Sequence, residues 1–354
     1  MNIIEIAKRA RVSTATVSRV LNKVDTVDPR LARRVWAIVK EHGYYPNTQA
    51  RALVSGRSKI FGLVVSEITN PFFPEIVQVF EDIAVQHQYE ILLTSTGSDP
   101  KRMEASIRRM LERRVDAVAV MTFGMEEGVL DNLKLRNVPL VFVDVGPARA
   151  RVSNIRIDYL SGIRQAVQHL VALRHERIAF ISGPLRMKSA VARRDAFVQS
   201  LAEIGLHAEP CLIVEGDHTI EGGMSVLAQL IAQSSRPTAI MCSNDLTAIG
   251  VMRESYVRQI AIPRDLSIIG FDDIRLSEFV LPPLTTVRMS QSELARLAFH
   301  ALLADVQREP PSPVGMEYIL RTNLVQREST AMAPGRDCVD VPIFGGREIL
   351  QTSL

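Results

Sequence analysis

Eight short apolar runs recur through most of the chain: IFGLVV (60–65), EILLTS (90–95), DAVAVM (116–121), PLVFVD (139–144), RIAFIS (177–182), CLIVEG (211–216), TAIMCS (238–243) and SIIGFD (267–272). Their length suits strands, and their nearly continuous apolarity predicts strands covered on both faces. Between them lie stretches such as the one carrying Ile76, Val79, Phe80 and Ile83, whose spacing predicts crossover helices. The pattern is that of a parallel α/β architecture. It is interrupted at residues 145–158, VGPARARVSNIRID, which predicts a division into two lobes. PLTTVRMSQSELARLAFHALL and MEYILRTNLVQRES then read as extended, helical and extended again, as if the chain crosses back between lobes. Ligands of open α/β sheets sit at the carboxyl ends of the strands, so the cleft between lobes is the expected pocket.

The first sixty residues obey another pattern. They hold twelve Lys/Arg against four Asp/Glu, a charge of +8, whereas the other 294 carry −5, so the modest total of +3 hides a separate basic module. Its expected partner is a polyanion. Ile3, Ile6, Ala7 and Ala10 predict a first helix of about eight residues. Arg11, Val12 and Ser13 make a three-residue turn, Ser13 is placed to cap a second helix, and Val17, Val20 and Leu21 form that helix's inward stripe. Asp28-Pro29 opens a third helix with Leu31, Val35, Ile38 and Val39 inside; Trp36 is expected to join this core and Gly43 to end the helix. Thr14, Ala15, Thr16, Ser18, Arg19 and Asn22 are then left facing out. Hydroxyls and amides donate to phosphates and a guanidinium reaches a guanine edge, so the second helix reads as a recognition helix.

At this point a resemblance becomes specific. IIEIAKRARVSTATVSRVLN, followed by VDPRLARRVWAIVKEHGYYPNTQARALVSGRSKIFGLVVSEITNPFF, closely resembles the lactose-repressor (LacI/GalR) family of bacterial transcription regulators, and later motifs carry the match to about residue 330. The resemblance implies an all-α helix-turn-helix headpiece with a hinge helix, and a two-lobed α/β effector domain like periplasmic sugar-binding proteins, with parallel sheets. It divides the chain into a DNA-binding domain at 1–46, a hinge at 47–59 and an effector-binding and dimerisation domain at 60–330. Within that domain the first lobe takes about 60–158 and 288–317, and the second about 159–287 and 318–330. Residues 331–354 run past the match and read as a mobile tail.

The implied DNA contacts are Ser13, Thr14, Ala15, Thr16, Ser18, Arg19, Asn22 and Tyr44 in the headpiece, with Thr14 and Ala15 opening the recognition helix and Arg19 reading bases. From the hinge they are Asn47, Ala50 and Leu53, with Leu53 as an apolar wedge that opens a base step in the minor groove. The chain departs from the family at Arg11, where Gly or Asn is usual, and at Arg174, where Gly is usual; both positions commonly end a helix in a left-handed turn.

For the effector, residues near strand ends are the candidates: Phe72 and Phe73 after the first run, then Asp158, Arg193, Asn244 and Asp272. A flat apolar face with carboxylates, an amide and a guanidinium suits a polyhydroxylated ring, because each buried hydroxyl left unpaired costs free energy. Arg193 and Asp272 also read as a structural ion pair, Asn244 and Asp158 as helix caps, and Phe73 as core. Sugars, sugar acids and sugar phosphates are the effectors implied first; purines are the alternative, since RPTAIMC and SGPL also resemble purine-responsive members. The expected partners are a pseudo-palindromic double-stranded operator, the effector, and a second copy of the chain in a homodimer or a dimer of dimers.

Composition agrees with a soluble chain that buries a large core: 47% apolar and 23% charged over 354 residues. The opening residues lack an apolar secretion segment and no stretch reaches 18 uncharged apolar residues, so no membrane contact and a bacterial cytoplasmic location, on the nucleoid when DNA-bound, are expected. Cys211, Cys242 and Cys338 are far apart without CxxC, and the seven His residues do not group at ligand spacing. GxxxxGK[ST], GxGxxG, HExxH and GxSxG are absent, so neither catalysis, a metal nor a cofactor is expected. The competing class is a small-molecule carrier or sugar-modifying enzyme with a basic accessory segment; it would act independently of salt and turn its ligand over.

Overall fold

The computed structural model describes residues 1–21, 26–44, 56–97, 99–122, 138–144, 146–148, 151–233, 236–308 and 315–335. It divides into two compact units, Met1–Lys59 and Ile60–Leu354.

In the first unit, helix α1 (Ile3–Ala10) begins with a capping box in which Asn2 and Glu5 each accept the other's backbone N–H. It ends at Arg11, whose φ of 50° and ψ of 49° are left-handed, a conformation that costs an Arg on the order of 1 kcal/mol. Helix α2 (Thr14–Leu21) starts with the Ser13 hydroxyl accepting from Thr16 N–H at 3.1 Å. Helix α3 (Pro29–Glu41) is capped by Asp28, which accepts from Arg30 N–H and Leu31 N–H. Ile6, Ala7, Ala10, Val17, Val20, Val35 and Val39 close the core. Trp36 does not join it and is 42% exposed; it comes directly after Val35, and successive helical residues point about 100° apart.

In the second unit the chain builds the same layout twice. The first sheet contains β1 (Ile60–Val65), β2 (Glu90–Ser95), β3 (Ala117–Met121), β4 (Leu140–Val143), β5 (Val152–Asp158) and β11 (Glu317–Arg321), in the order β11-β5-β4-β3-β1-β2. The second contains β6 (Ile178–Ser182), β7 (Ile213–Glu215), β8 (Ala239–Cys242), β9 (Ser267–Asp272), β10 (Thr285–Arg288) and β12 (Asn323–Val325), in the order β12-β10-β9-β8-β6-β7. Every pairing is parallel except β10 with β12. The crossovers are α4 (Phe72–Gln86), α5 (Pro100–Glu112), α6 (Tyr159–Ala172), α7 (Lys188–Glu203), α8 (Ile220–Ile231) and α9 (Asp245–Val257). Helix α10 (Gln291–Gln307) returns to the first lobe, where Phe299 meets Phe80 edge to face at 5.2 Å.

Three expectations change. Residues 152–158 form a strand, not an interruption; their Ser153 and Asn154 are buried and hydrogen-bonded, which hides the strand from an apolarity criterion. The boundary near residue 318 moves, because β11 pairs with β5 in the first sheet and the last crossing falls at Thr322. Thr322 Oγ1 donates to Asp158 O and accepts from Gly162 N–H, so two crossings are tied together, and a Cβ on Gly162 would lie 2.5 Å from that hydroxyl. The start of the expected mobile tail is fastened: His175 Nε2 lies 3.0 Å from Ala331 O, and Ala333 N–H donates to Leu173 O at 2.8 Å; residues 336–354 lie outside the described ones.

Candidate functional site

Two places carry the expected chemistry. On α2, Val17 and Val20 face the core, while Ser13, Thr14, Ala15 and Arg19 are exposed and Thr16 and Ser18 half-buried. The outward face is thus a by-product of helical periodicity, since burying one stripe turns the hydroxyls and the guanidinium outward. Tyr44 packs partly against the headpiece core. Asn22, Asn47, Ala50 and Leu53 lie outside the described residues.

The second place is a cavity of about 350 Å³ in the body. In each sheet the strand order turns at a central strand, β1 flanked by β2 and β3 and β6 flanked by β7 and β8, and such switch points open crevices at the strands' carboxyl ends. Residues just past those ends wall the cavity: Ser66, Glu67, Asn70, Phe72 and Phe73 after β1, and Arg186, Ser189 and Arg193 after β6. Asp217 and His218 come after β7, Asn244 after β8, and Asp272 ends β9. Five of the six expected effector residues are brought together.

Asp158 is not among the lining residues. Its carboxylate caps α6, accepting from Ser161 N–H at 3.2 Å and from the Ser161 hydroxyl at 2.5 Å. An acid closing a strand that runs straight into a helix is taken up by the unpaired N–H groups of the first turn.

Arg193 and Asp272 form the buried charged pair of the wall, 4% and 7% exposed, with Nη2 3.4 Å from Oδ1. The guanidinium is committed on several sides. Nη1 donates to Ser243 O, and the plane stacks on Phe271 at 4.1 Å and approaches Tyr159 at 5.2 Å. Asp272 Oδ1 and Arg193 Nε have no hydrogen-bond partner. Burial pushes the Asp272 carboxyl up to about 7, with Arg193 pulling the other way. Asp272 has a φ of 107°, a backbone that carries strain for a residue with a side chain.

Asn244 does two jobs. Its Oδ1 caps α9 by accepting from Thr247 N–H at 3.0 Å, and its Nδ2 donates to His218 O at 3.0 Å, which pins the loop carrying His218. His218 is a wall residue that sequence reasoning missed. Its Nε2 lies 2.9 Å from Ser243 Oγ, and burial, then Arg193, lower its pKa to about 3, so the ring is neutral. The ring lies so close to Gly183 that a Cβ there would come within 1.9 Å of it. Its place just past the apolar run ending at Gly216 was the signal that could have found it. Phe72 and Phe73 stand edge to face at 5.3 Å; both are buried in the core as well as lining the cavity.

One link joins the lobes beside the cavity. At the end of β4, Asp144 accepts from Ile157 N–H at 2.8 Å and from the hydroxyl of Tyr159, the first residue of α6, at 2.7 Å; burial raises the pKa of Asp144. Among the described residues, no group of three or more His, Cys, Asp or Glu is arranged to hold a metal ion, and no helix is long and apolar enough to cross a membrane.

Comparison with known proteins agrees with this geometry. Residues 2–47 match the model of bacterial regulatory proteins of the lacI family, and residues 167–330 that of a periplasmic binding protein-like domain. A protein named HTH-type transcriptional repressor PurR from Glaesserella parasuis serovar 5 (strain SH0165) is 33% identical over 320 residues, which is 89% of this chain and 94% of that protein. A protein of the same name from Escherichia coli O1:K1 / APEC is 32% identical over 335 residues, 94% and 98% of the two chains. Among solved structures, the Lac repressor dimer bound to operator and the anti-inducer ONPF aligns with a TM-score of 0.84 and 27% identity, covering 94% of this chain and 99% of that one. A complex of the transcriptional regulator CelR with cellobiose aligns with a TM-score of 0.70 and 27% identity, covering 93% and 99%.

Proposed function

The chain belongs to the lacI family of bacterial DNA-binding regulatory proteins, and from that premise we propose that it is a repressor whose affinity for a pseudo-palindromic operator is set by a small effector held between the two lobes of its body. The observation that carries this reading is the cavity at both switch points, where Phe72 and Phe73 of one lobe face the chemistry of Arg193, Asn244 and Asp272 of the other. DNA contact falls to Ser13, Thr14, Ala15, Thr16, Ser18, Arg19 and Tyr44, and to Asn22, Asn47, Ala50 and Leu53 beyond the described residues. Effector and operator are linked by a coupling free energy: a ligand that favours one lobe arrangement changes DNA affinity only by its difference in affinity for the two arrangements.

The working unit is a homodimer, as a pseudo-palindrome requires. Support comes from the dimeric Lac repressor among the similar structures and from the second lobe's own surface, where Phe279 is 66% and Leu281 90% exposed. The CelR–cellobiose complex supports a sugar effector, and the relatives named PurR weigh toward a purine.

The test is a mobility shift on the promoter DNA flanking the gene, over a salt series. Operator affinity is expected to fall steeply with salt as phosphate contacts release counterions, and Arg19→Ala is expected to relax sequence preference by about 1–3 kcal/mol. Equal affinity for operator and scrambled DNA would reject the reading.

A further inference from the structure

Helix α1 ends on a side chain at a position whose backbone suits glycine. Arg11 has a φ of 50° and a ψ of 49°, and its N–H donates to Ala7 O and Lys8 O, while Val12 N–H donates to Ala7 O at 3.0 Å. Glycine holds such a conformation without steric cost, so an arginine there lowers stability. The conformation by itself shows no use, because Arg174 follows α6 in the same way with a φ of 64°. The difference is place. Arg174 leads into the buried His175, whereas Arg11 stands just before the exposed Ser13, Thr14 and Ala15 that open α2.

The turn is held so that this side chain stays in solvent. Val12 packs against the headpiece core, which leaves Arg11 and Ser13 exposed on either side of it. From α3, Arg34 Nη2 donates to Arg11 O at 3.3 Å, which fastens the turn and brings a second guanidinium to it. The nearby acids are used elsewhere: Glu5 accepts from Asn2 N–H, Asp28 caps α3, and Glu41 lies 3.8 Å from His42. Among the described residues, no acid pairs with Arg11 or Arg34, and the Arg11 guanidinium has no hydrogen-bond partner. Two cations brought to one turn without a counter-ion repel, and an anion beside them removes that repulsion.

Resting on the DNA-binding reading above, we infer that Arg11 is a phosphate contact that this chain adds at the start of helix α2: its guanidinium grips the DNA backbone beside the groove that α2 enters. A guanidinium can meet a phosphate through two parallel N–H···O bonds, a geometry that an ammonium does not reproduce. Such a contact carries no base information, so it positions α2 and strengthens binding to every duplex alike.

The experiment uses the full chain, with the promoter fragment flanking the gene and a scrambled duplex of equal length, over a salt series. Arg11→Gly is expected to weaken binding to both duplexes by the same factor, about five- to tenfold, and to flatten the slope of log affinity against log salt by about 0.9. Arg11→Lys keeps the charge and should keep the slope, with a smaller loss of affinity. Arg174→Gly relieves the same backbone conformation in the other unit and should leave both affinities unchanged. Glycine suits the turn, so Arg11→Gly should unfold in urea no earlier than the parent chain, which separates lost contact from lost fold. An unchanged salt slope in Arg11→Gly, a loss confined to the promoter fragment, or an equal loss in Arg174→Gly overturns the inference. A parent chain that shows no preference for the promoter fragment rejects the regulator reading instead, while the scrambled duplex still decides the role of Arg11 by its slope.

Discussion

After β1 the chain brings Phe72 and Phe73 to the cavity, whereas at the corresponding place after β6 it brings Ser189 and Arg193, and the second sheet adds His218, Asn244 and Asp272 from its next strand ends. The strand order is the same in both lobes. What differs is the loading: the first lobe's aromatic pair belongs equally to its own core, while the second holds a buried network of charge and hydrogen bonds. Apolar contact carries no directional requirement, whereas a hydrogen bond needs its donor and acceptor aligned. The second lobe is therefore the one that should discriminate among ligands, and the first the one that covers them.

The comparison is most exposed to pH. Burial holds the folded Asp272 carboxyl near 7, above the ordinary value of 3.8, so its contribution favours the fold fully only below 3.8 and is lost as pH rises through about 7. Between pH 4 and 8 the unliganded body should lose about 4 kcal/mol from this group, and urea midpoints of Asp272→Asn should show a correspondingly flatter dependence. Superimposable curves for the two proteins would remove Asp272 from the account.

Arg193→Ala leaves that carboxylate without a cation and should cost about 3 kcal/mol at pH 8, with less loss at pH 5, and it should abolish the effector's effect on operator binding. A loss that is the same at both pH values would show that the pair is not electrostatic.

Gly183→Ala drives a Cβ into the His218 ring and should cost about 2 kcal/mol while weakening effector binding. Unchanged calorimetry for this variant would detach His218 from the ligand. The smallest effect on ligand choice is expected in the first lobe: Phe72→Leu should cost about 1 kcal/mol of stability and lower affinity for every ligand by a similar factor. Should it instead reorder the ligand preferences, the contrast between the lobes fails.

Much of this was legible in the chain. The runs at 60–65, 90–95 and 267–272 are strands with those bounds; the first and last are buried, while β2, at the edge of its sheet, is only half-buried and so not covered on both faces as expected. Arg11 and Arg174 are left-handed, with φ of 50° and 64°, so the arginine at 174 keeps the turn that a glycine commonly makes rather than giving a different cap. Other parts were hidden for physical reasons. Val152–Asp158 carries buried Ser153 and Asn154 because neighbouring chain satisfies them, and Trp36 looked like core by residue type although its helical angle turns it to solvent. His218 gave only its position after a strand.

Local pattern by itself determined the basic headpiece with its outward hydroxyls, the parallel strands and most of the residues at their carboxyl ends, because periodicity and burial act over a few residues. Only the tertiary structure decided which acid lines the cavity and which caps a helix. Asp158 and Asp272 both end strands, but one meets a free turn of backbone N–H groups and the other a guanidinium brought in from a different crossover. That choice depends on what the fold packs around each carboxylate, and burial and neighbouring charge have no counterpart in a short window of sequence.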